Sequence, residues 1–161
     1  MSIEASIDLR IINISTGTII SPLKTFELLI RNEWNAISKD GYSFYKLSNE
    51  DDISNWEVSK TSLPELLKIL KQKELEKELI GVRILWQDTE IGGEVLLLQE
   101  EEMLKQGIHT SMSFLLTSNR KFLIDKDGLK ITDVNWYLTK LLPIFNQGDT
   151  IVEYFTYEEH I

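Results

Sequence analysis

Several stretches of the chain alternate apolar and polar residues with a period of two, which indicates β-strands with one buried face. The clearest stretch is Ser111–Thr117, where methionine, phenylalanine and leucine alternate with serine and threonine. The same pattern is present in Val82–Trp86 and near the start of the chain. Dipeptides that are typical of turns separate these stretches: Gly92-Gly93, Ser118-Asn119 and Asp127-Gly128. Together they predict a central antiparallel meander over about residues 81–132.

Three other stretches place their apolar residues at the helical spacing of three or four. The first follows Ser21-Pro22, a favourable start for a helix, and its apolar stripe continues to Trp34 and Ile37. The second follows the capping box Ser62–Glu65, and its charged second half, Lys71–Glu78, is predicted to be solvated. These patterns predict helices over about residues 22–38, 63–78 and 133–146.

The remaining segments complete a coherent fold. Shorter runs predict strands over about residues 18–20, 42–47 and 151–157, and the polar stretch Ser48–Asn55 predicts an exposed loop. A length of 161 residues is typical of one domain, and the sequence contains no repeat or linker. The sequence therefore predicts a single α+β domain over residues 1–161, with helices packed on a mostly antiparallel sheet.

The composition limits the kinds of partner. The formal net charge is −9, from 26 acidic and 17 basic residues. Such a surface repels phosphate backbones and anionic lipids, so we expect neither a nucleic acid nor a membrane as a partner. The same charge accelerates encounter with a basic protein, although it would also simply keep the protein soluble. No signal-peptide pattern opens the sequence and no cysteine is present, so we expect a cytoplasmic location.

Few residues are typical of catalytic or metal chemistry. The sequence has no cysteine and two histidines, His109 and His160. Asp125–Gly128 resembles the start of a calcium loop, but its glycine comes too early for that motif. Ile91–Glu94 lacks the spacing of a phosphate-binding loop. We therefore predict no catalytic residue, no metal ligand and no cofactor, while a site formed in space by carboxylates and His109 is the alternative.

Aromatic residues that lie among acidic ones are the strongest binding signal. Aromatic rings serve as desolvated anchors at protein interfaces, and carboxylates pair there with arginine or lysine. Core packing is the alternative for the rings, and stabilisation of a helix start is the alternative for the glutamate run at Glu100. The predicted partner-binding residues are Glu50, Asp51, Asp52, Trp56, Glu100, Glu101, Glu102, Tyr154, Tyr157 and Glu158.

The overall profile of size, acidity and missing catalytic motifs is similar to that of small acidic immunity proteins and antitoxins of bacteria. This resemblance implies a non-enzymatic module that binds and occludes a basic protein, such as a nuclease toxin. Two alternatives remain. One is a small enzyme with a carboxylate–histidine site. The other is a structural or oligomeric subunit of a phage or secretion assembly, which predicts an exposed apolar patch and self-association.

Overall fold

The structure is a computed structural model that describes residues 4–13, 19–46, 56–99, 101–105, 108–117, 119–148 and 150–160. The helices are α1 (Pro22–Arg31), α2 (Leu63–Leu75), α3 (Glu101–Lys105) and α4 (Val134–Phe145). The strands are β1 (Glu4–Asn13), β2 (Trp34–Asn35), β3 (Ile37–Ser38), β4 (Gly41–Tyr45), β5 (Trp56–Ser59), β6 (Ile80–Trp86), β7 (Gly92–Leu98), β8 (Ile108–Leu116), β9 (Phe122–Ile124), β10 (Lys130–Thr132) and β11 (Thr150–His160).

One antiparallel sheet contains nine of these strands. Its order is β11-β1-β8-β7-β6-β4-β3, with β2 paired to β6 and β5 paired to β4. Every described pairing is antiparallel. The three longer helices pack with the sheet around one apolar core. The predicted α+β class, with a mostly antiparallel sheet, is therefore confirmed.

The predicted meander is confirmed over β6, β7 and β8 but is wrong beyond them. Within the described part of the chain, strands β9 and β10 pair only with each other and form a separate two-stranded hairpin. The base of this hairpin is bound to other elements through polar contacts. The backbone N–H of Lys121 donates to the hydroxyl of Tyr137 at 2.9 Å, and the hydroxyl of Thr132 donates to Glu159 at 3.0 Å. These contacts hold the hairpin against α4 and β11 instead of beside β8.

Tyr137 yields a prediction about stability at high pH. Its side chain is fully buried, and burial raises its pKa to about 12. In the unfolded chain this phenol titrates near 10, so the unfolded state loses its proton first. The contribution of neutral Tyr137 is therefore complete below about pH 10 and falls by up to about 1.4 kcal/mol per pH unit as the pH rises towards 12. Urea unfolding of the wild type and Tyr137→Phe should show the wild type losing stability relative to the variant over this range. A constant difference would contradict the assignment.

Helix α1 ends earlier than predicted, and the placement of Trp34 and Ile37 in its stripe is wrong. Asn32 caps the helix, and Glu33 follows with a left-handed φ of 75°. Trp34 then pairs with Trp86 in the sheet, and its indole N–H donates to the Lys140 carbonyl at 3.2 Å. The apolar spacing fits a helix, but Trp34 is paired with β6 and only 1% exposed, so tertiary packing overrides the local preference.

Other local predictions have mixed outcomes. Both helix caps are confirmed, because Ser21 accepts from the N–H of Lys24 and Ser62 accepts from that of Glu65. The predicted strand at 18–20 is wrong for the described residues 19 and 20, and the predicted loop over Ser48–Asn55 lies outside the described residues. Gly92 and Gly93 lie within β7 and form no turn. Helix α2 ends at Leu75 and not near residue 78, and Lys73, within the segment Lys71–Glu78 that the sequence predicts to be solvated, is fully buried.

Candidate partner-binding surface

The sheet has two faces with different surroundings. In β1 the residues Ala5, Ile7, Leu9 and Ile11 are buried on the face that packs against α1, α2 and α4, whereas the alternate residues are only half-buried. The same alternation holds in β8, where Met112 and its alternate neighbours complete the core. We call the opposite side, formed by the outward residues of β11, β1, β8 and β7, the open face.

Strand register brings polar residues from distant parts of the chain together on the open face. Arg10 of β1 lies between Tyr154 of β11 and Ser111 of β8. Two residues back along β1, Asp8 lies between Thr156 and Ser113. Each of these rows crosses three strands, and β7 extends them by a further strand with Leu98 and Leu96. The open face therefore combines hydroxyl, charged, aromatic and aliphatic groups in two adjacent rows.

These rows form a groove of about 400 Å³. The guanidinium carbon of Arg10 lies 4.9 Å from the centre of the Tyr154 ring, a geometry in which the cation and the ring attract each other. The Tyr154 side chain is 44% exposed. Carboxylates and hydroxyls of the groove can accept hydrogen bonds from a basic side chain, and the leucines offer an apolar surface. The groove residues that carry this chemistry are Asp8, Arg10, Leu96, Leu98, Ser111, Ser113, Tyr154 and Glu158.

An aromatic pair extends the open face towards β5. Gly81 pairs with Leu96, and the Tyr45 ring covers Gly81 so closely that a Cβ there would lie 2.5 Å from the ring. The Tyr45 and Trp56 rings are 4.2 Å apart between centres. Burial, followed by the charge of Glu94, raises the pKa of Tyr45. Trp56 therefore lies on the same side of the sheet as the groove, at the end of the sheet opposite β11.

The structure places the predicted partner-binding residues in different environments. Tyr154 and Glu158 both line the groove, and Trp56 lies on the same side of the sheet. Tyr157 instead packs against the core side, where its hydroxyl donates to Glu159 at 2.9 Å and burial raises its pKa. Four predicted residues lie outside the described residues: Glu50, Asp51, Asp52 and Glu100.

Glu101 and Glu102 lie in the first turn of the short helix α3, as the alternative interpretation of the glutamate run expected. The ammonium of Lys77 donates to the Glu101 carboxylate at 2.5 Å, and this hydrogen bond lowers the pKa of Glu101. Glu102 is 3.6 Å from Lys105. Both carboxylates thus have lysine partners within the chain, and neither lines the groove.

Sequence reasoning missed Asp8, Arg10 and the two serines of β8 as residues that line the groove. In the local sequence each of them occupies a polar position of an alternating strand, and such positions most often simply face solvent. The signal that distinguishes them is the pairing of β1 with both β8 and β11. That pairing joins residues from the start, the middle and the end of the chain, and no local pattern encodes it.

The described residues hold no group of three or more histidine, cysteine, aspartate or glutamate side chains that could bind a metal ion. The side chains of His109 and His160 lie outside the part that the structure describes. None of the described helices has the length and apolar character needed to cross a membrane. No family model, curated protein or solved structure matches the chain.

Proposed function

We propose that the protein is a non-enzymatic binding module that holds a basic partner protein on the open face of its sheet. The observation that carries this proposal is the groove, which is lined by the exposed ring of Tyr154, the carboxylates of Asp8 and Glu158 and the leucines of β7. Protein interfaces combine these elements in the same way: an aromatic anchor, an apolar centre and polar groups at the rim.

The net charge of −9 supports a basic partner, because opposite charge steers the two proteins together before they make contact. We propose further that the module is of the immunity or antitoxin type and occludes a basic protein such as a nuclease toxin. In that case the association rate falls as salt is added, since salt screens the attraction. An association rate that stays constant from low to high salt would contradict the electrostatic part of the proposal.

Two groove variants test the proposed surface. Tyr154→Ala removes the aromatic anchor, and Leu98→Glu places a charge on the apolar part of the groove. A tagged wild type would first capture its partner from the native host at low salt, and the purified partner would then be titrated. We expect each variant to weaken binding by about 30-fold, the effect of losing about 2 kcal/mol at an interface hot spot.

Leu75→Ala is the matched control for these variants. Its side chain is 66% exposed on α2, away from the groove, so we expect the affinity of the wild type. Circular dichroism would verify that each variant is folded. If folded Tyr154→Ala and Leu98→Glu both bind with the affinity of Leu75→Ala, the open face is not the binding surface.

The oligomeric alternative is favoured by one observation, the apolar surface of the β9–β10 hairpin. Leu123, Ile124, Leu129 and Ile131 are 50%, 67%, 63% and 52% exposed. Leu123 and Ile131 are cross-strand partners and share one face of the hairpin. If this surface mediates assembly, sedimentation should show self-association that the Leu123→Ser/Ile131→Ser double variant abolishes. A wild type that stays monomeric at its highest attainable concentration would reject this alternative.

The enzyme alternative requires a carboxylate with a raised pKa in a cleft. The raised pKa values in the described residues fall on the phenols of Tyr45, Tyr137 and Tyr157, and the pKa of Glu101 is lowered. These shifts have structural causes in burial and in the Lys77 contact.

A further inference from the structure

We infer that β11 is a docking edge, to which a basic extended segment of the partner adds as a further antiparallel or parallel strand of the sheet. This inference rests on the proposed function, because β11 also carries Tyr154 and Glu158 of the groove. The proposed mode of binding is the pairing of main chains, and the proposed bound segment is basic and extended.

The first argument is topological. Strand β11 lies at one end of the sheet order, with β1 as its described neighbour. An edge strand directs every second pair of N–H and C=O groups away from the sheet, and these groups can pair with another chain. The β9–β10 hairpin reaches β11 through side chains, between Thr132 and Glu159, and forms a sheet of its own.

The second argument is that most of this edge lacks the features that would block a basic chain. Natural edge strands are kept short or carry charged side chains, above all lysine, or proline or a bulge, and the charges of β11 are acidic. Strand β11 has 11 residues, and neither lysine nor proline is among them. Its register shift lies opposite Arg10 and Ile11, and the N–H of Val152 is taken by the side chain of Asn146 at 2.7 Å. From Tyr154 to His160 the ladder with β1 continues without interruption.

The third argument is charge, which selects the occupant. The charged residues of β11 at neutral pH are Glu153, Glu158 and Glu159, all exposed. A second copy of β11 at this edge would add three more carboxylates and no cation, and like charges across a strand pair are destabilising. A segment that carries lysine or arginine brings the opposite charge. The occupant is therefore a basic strand from a different protein.

The added strand would also complete the groove. Side chains alternate across a sheet, so every second residue of the new strand would lie beside Tyr154, Thr156 and Glu158 on the open face. The intervening residues would lie on the other side, next to Tyr157. Main-chain pairing would supply affinity in this arrangement, and the residues that enter the groove would supply specificity.

A synthetic peptide of about ten residues, in which lysine alternates with threonine or valine, is the probe for this mode of binding. Two further peptides carry N-methyl groups on alternate residues. In the first peptide the methyl groups lie along one edge of the extended chain, and in the second they lie along the opposite edge. We expect the unmodified peptide to bind the full-length protein. Since only one peptide edge can pair with β11, one methylated peptide should bind equally well and the other at least about tenfold more weakly.

Amide hydrogen exchange provides the direct readout. Bound peptide should slow exchange at alternate amides between Tyr154 and His160, because alternate N–H groups face the free edge. Strand addition is overturned if the two methylated peptides bind equally, if the unmodified peptide does not bind, or if protection falls outside β11.

Charge-reversal variants supply the matched control. Glu153→Lys/Glu158→Lys should weaken the unmodified peptide by at least about tenfold, since two opposite charges next to the peptide become like charges. Glu65→Lys/Glu76→Lys changes the net charge by the same amount at exposed positions outside β11 and should bind within about twofold of the wild type. Equal losses in both double variants would attribute binding to overall charge and overturn the docking edge.

The groove variant separates this inference from the proposed function. If Leu98→Glu loses the natural partner while the methylated peptides bind equally, the open face binds the partner and strand addition is wrong. If Leu98→Glu keeps full affinity for the partner while one methylated peptide is excluded, the docking edge is supported and the proposed groove is wrong.

Discussion

Replacing Gly93 by alanine is expected to destabilise the protein by about 3 kcal/mol or more, one of the largest effects of any single methyl group in this fold. Gly93 lies in β7, between β6 and β8, and pairs with Ile84 on one side and Leu116 on the other. A Cβ at this position would lie 2.0 Å from the carbonyl oxygen of Leu115 and 2.9 Å from its carbonyl carbon.

The crowding at Gly93 involves backbone atoms, which cannot rotate away as a flexible side chain can. Relief requires that β7 move away from β8, and such a movement would weaken the ladder that holds both strands. Because the same strands form the groove, the proposed function also predicts weaker binding of a partner by this variant. Urea unfolding at neutral pH measures the effect on stability.

Gly128→Ala is the control for this prediction. Gly128 has a left-handed φ of 80°, and apart from its chain neighbours no heavy atom would lie within 4 Å of a Cβ at this turn. Alanine there would suffer only from its backbone conformation, which costs about 1 kcal/mol. If Gly93→Ala and Gly128→Ala lose the same stability, close strand approach is not the reason for glycine in β7.

Gly92 and Gly93 also show where reasoning from the sequence fails. Two adjacent glycines between alternating segments are typical of a hairpin turn, and this pattern predicts a turn at the pair itself. In the structure the turn precedes them, and a Cβ on Gly92 would lie 2.0 Å from the Ile84 carbonyl oxygen. A glycine needed for space and a glycine needed for a turn look identical in sequence, because only the neighbouring strand distinguishes them.

Features that depend on local sequence were predictable from the chain. The serine caps of α1 and α2 and the alternation in β8 depend on residues within one element, and the structure confirms them. The open-face groove depends on the pairing of β1 with β8 and β11, which are distant in sequence. The sequence singles out Tyr154 and Glu158 because an aromatic ring among acids is unusual, whereas only the strand register places Arg10 in the same groove.

Lys73 of α2 is a second residue whose environment the local sequence does not predict. It is also the basis of the second large change in stability that we expect. Lys71 and Lys77 are exposed as predicted, but the Lys73 side chain has no solvent exposure. Its ammonium donates to the Lys46 carbonyl at 3.0 Å and to the Glu78 carboxylate at 3.1 Å. Glu78 is itself only 13% exposed. A charge-rich helical segment indicates a solvated face, and the sequence has no signal for the one lysine that turns inward.

Glu78→Ala should therefore destabilise the protein by about 3–5 kcal/mol, because it leaves a buried ammonium without its carboxylate. Lys68→Ala is the matched control, since Lys68 pairs with Glu65 at a similar distance, 3.2 Å, but on the exposed surface. Its loss should cost less than about 1 kcal/mol. Both values come from urea unfolding under the same conditions.

The double variant Lys73→Met/Glu78→Leu tests the cause of this effect. If the cost of Glu78→Ala arises from an uncompensated buried charge, removal of both charges should restore stability to within about 1 kcal/mol of the wild type, because apolar residues of similar size need no desolvation. If the double variant is as unstable as Glu78→Ala, the ion pair stabilises the fold by its own attraction, and burial of Lys73 near Lys46 is a net gain rather than a cost that Glu78 offsets.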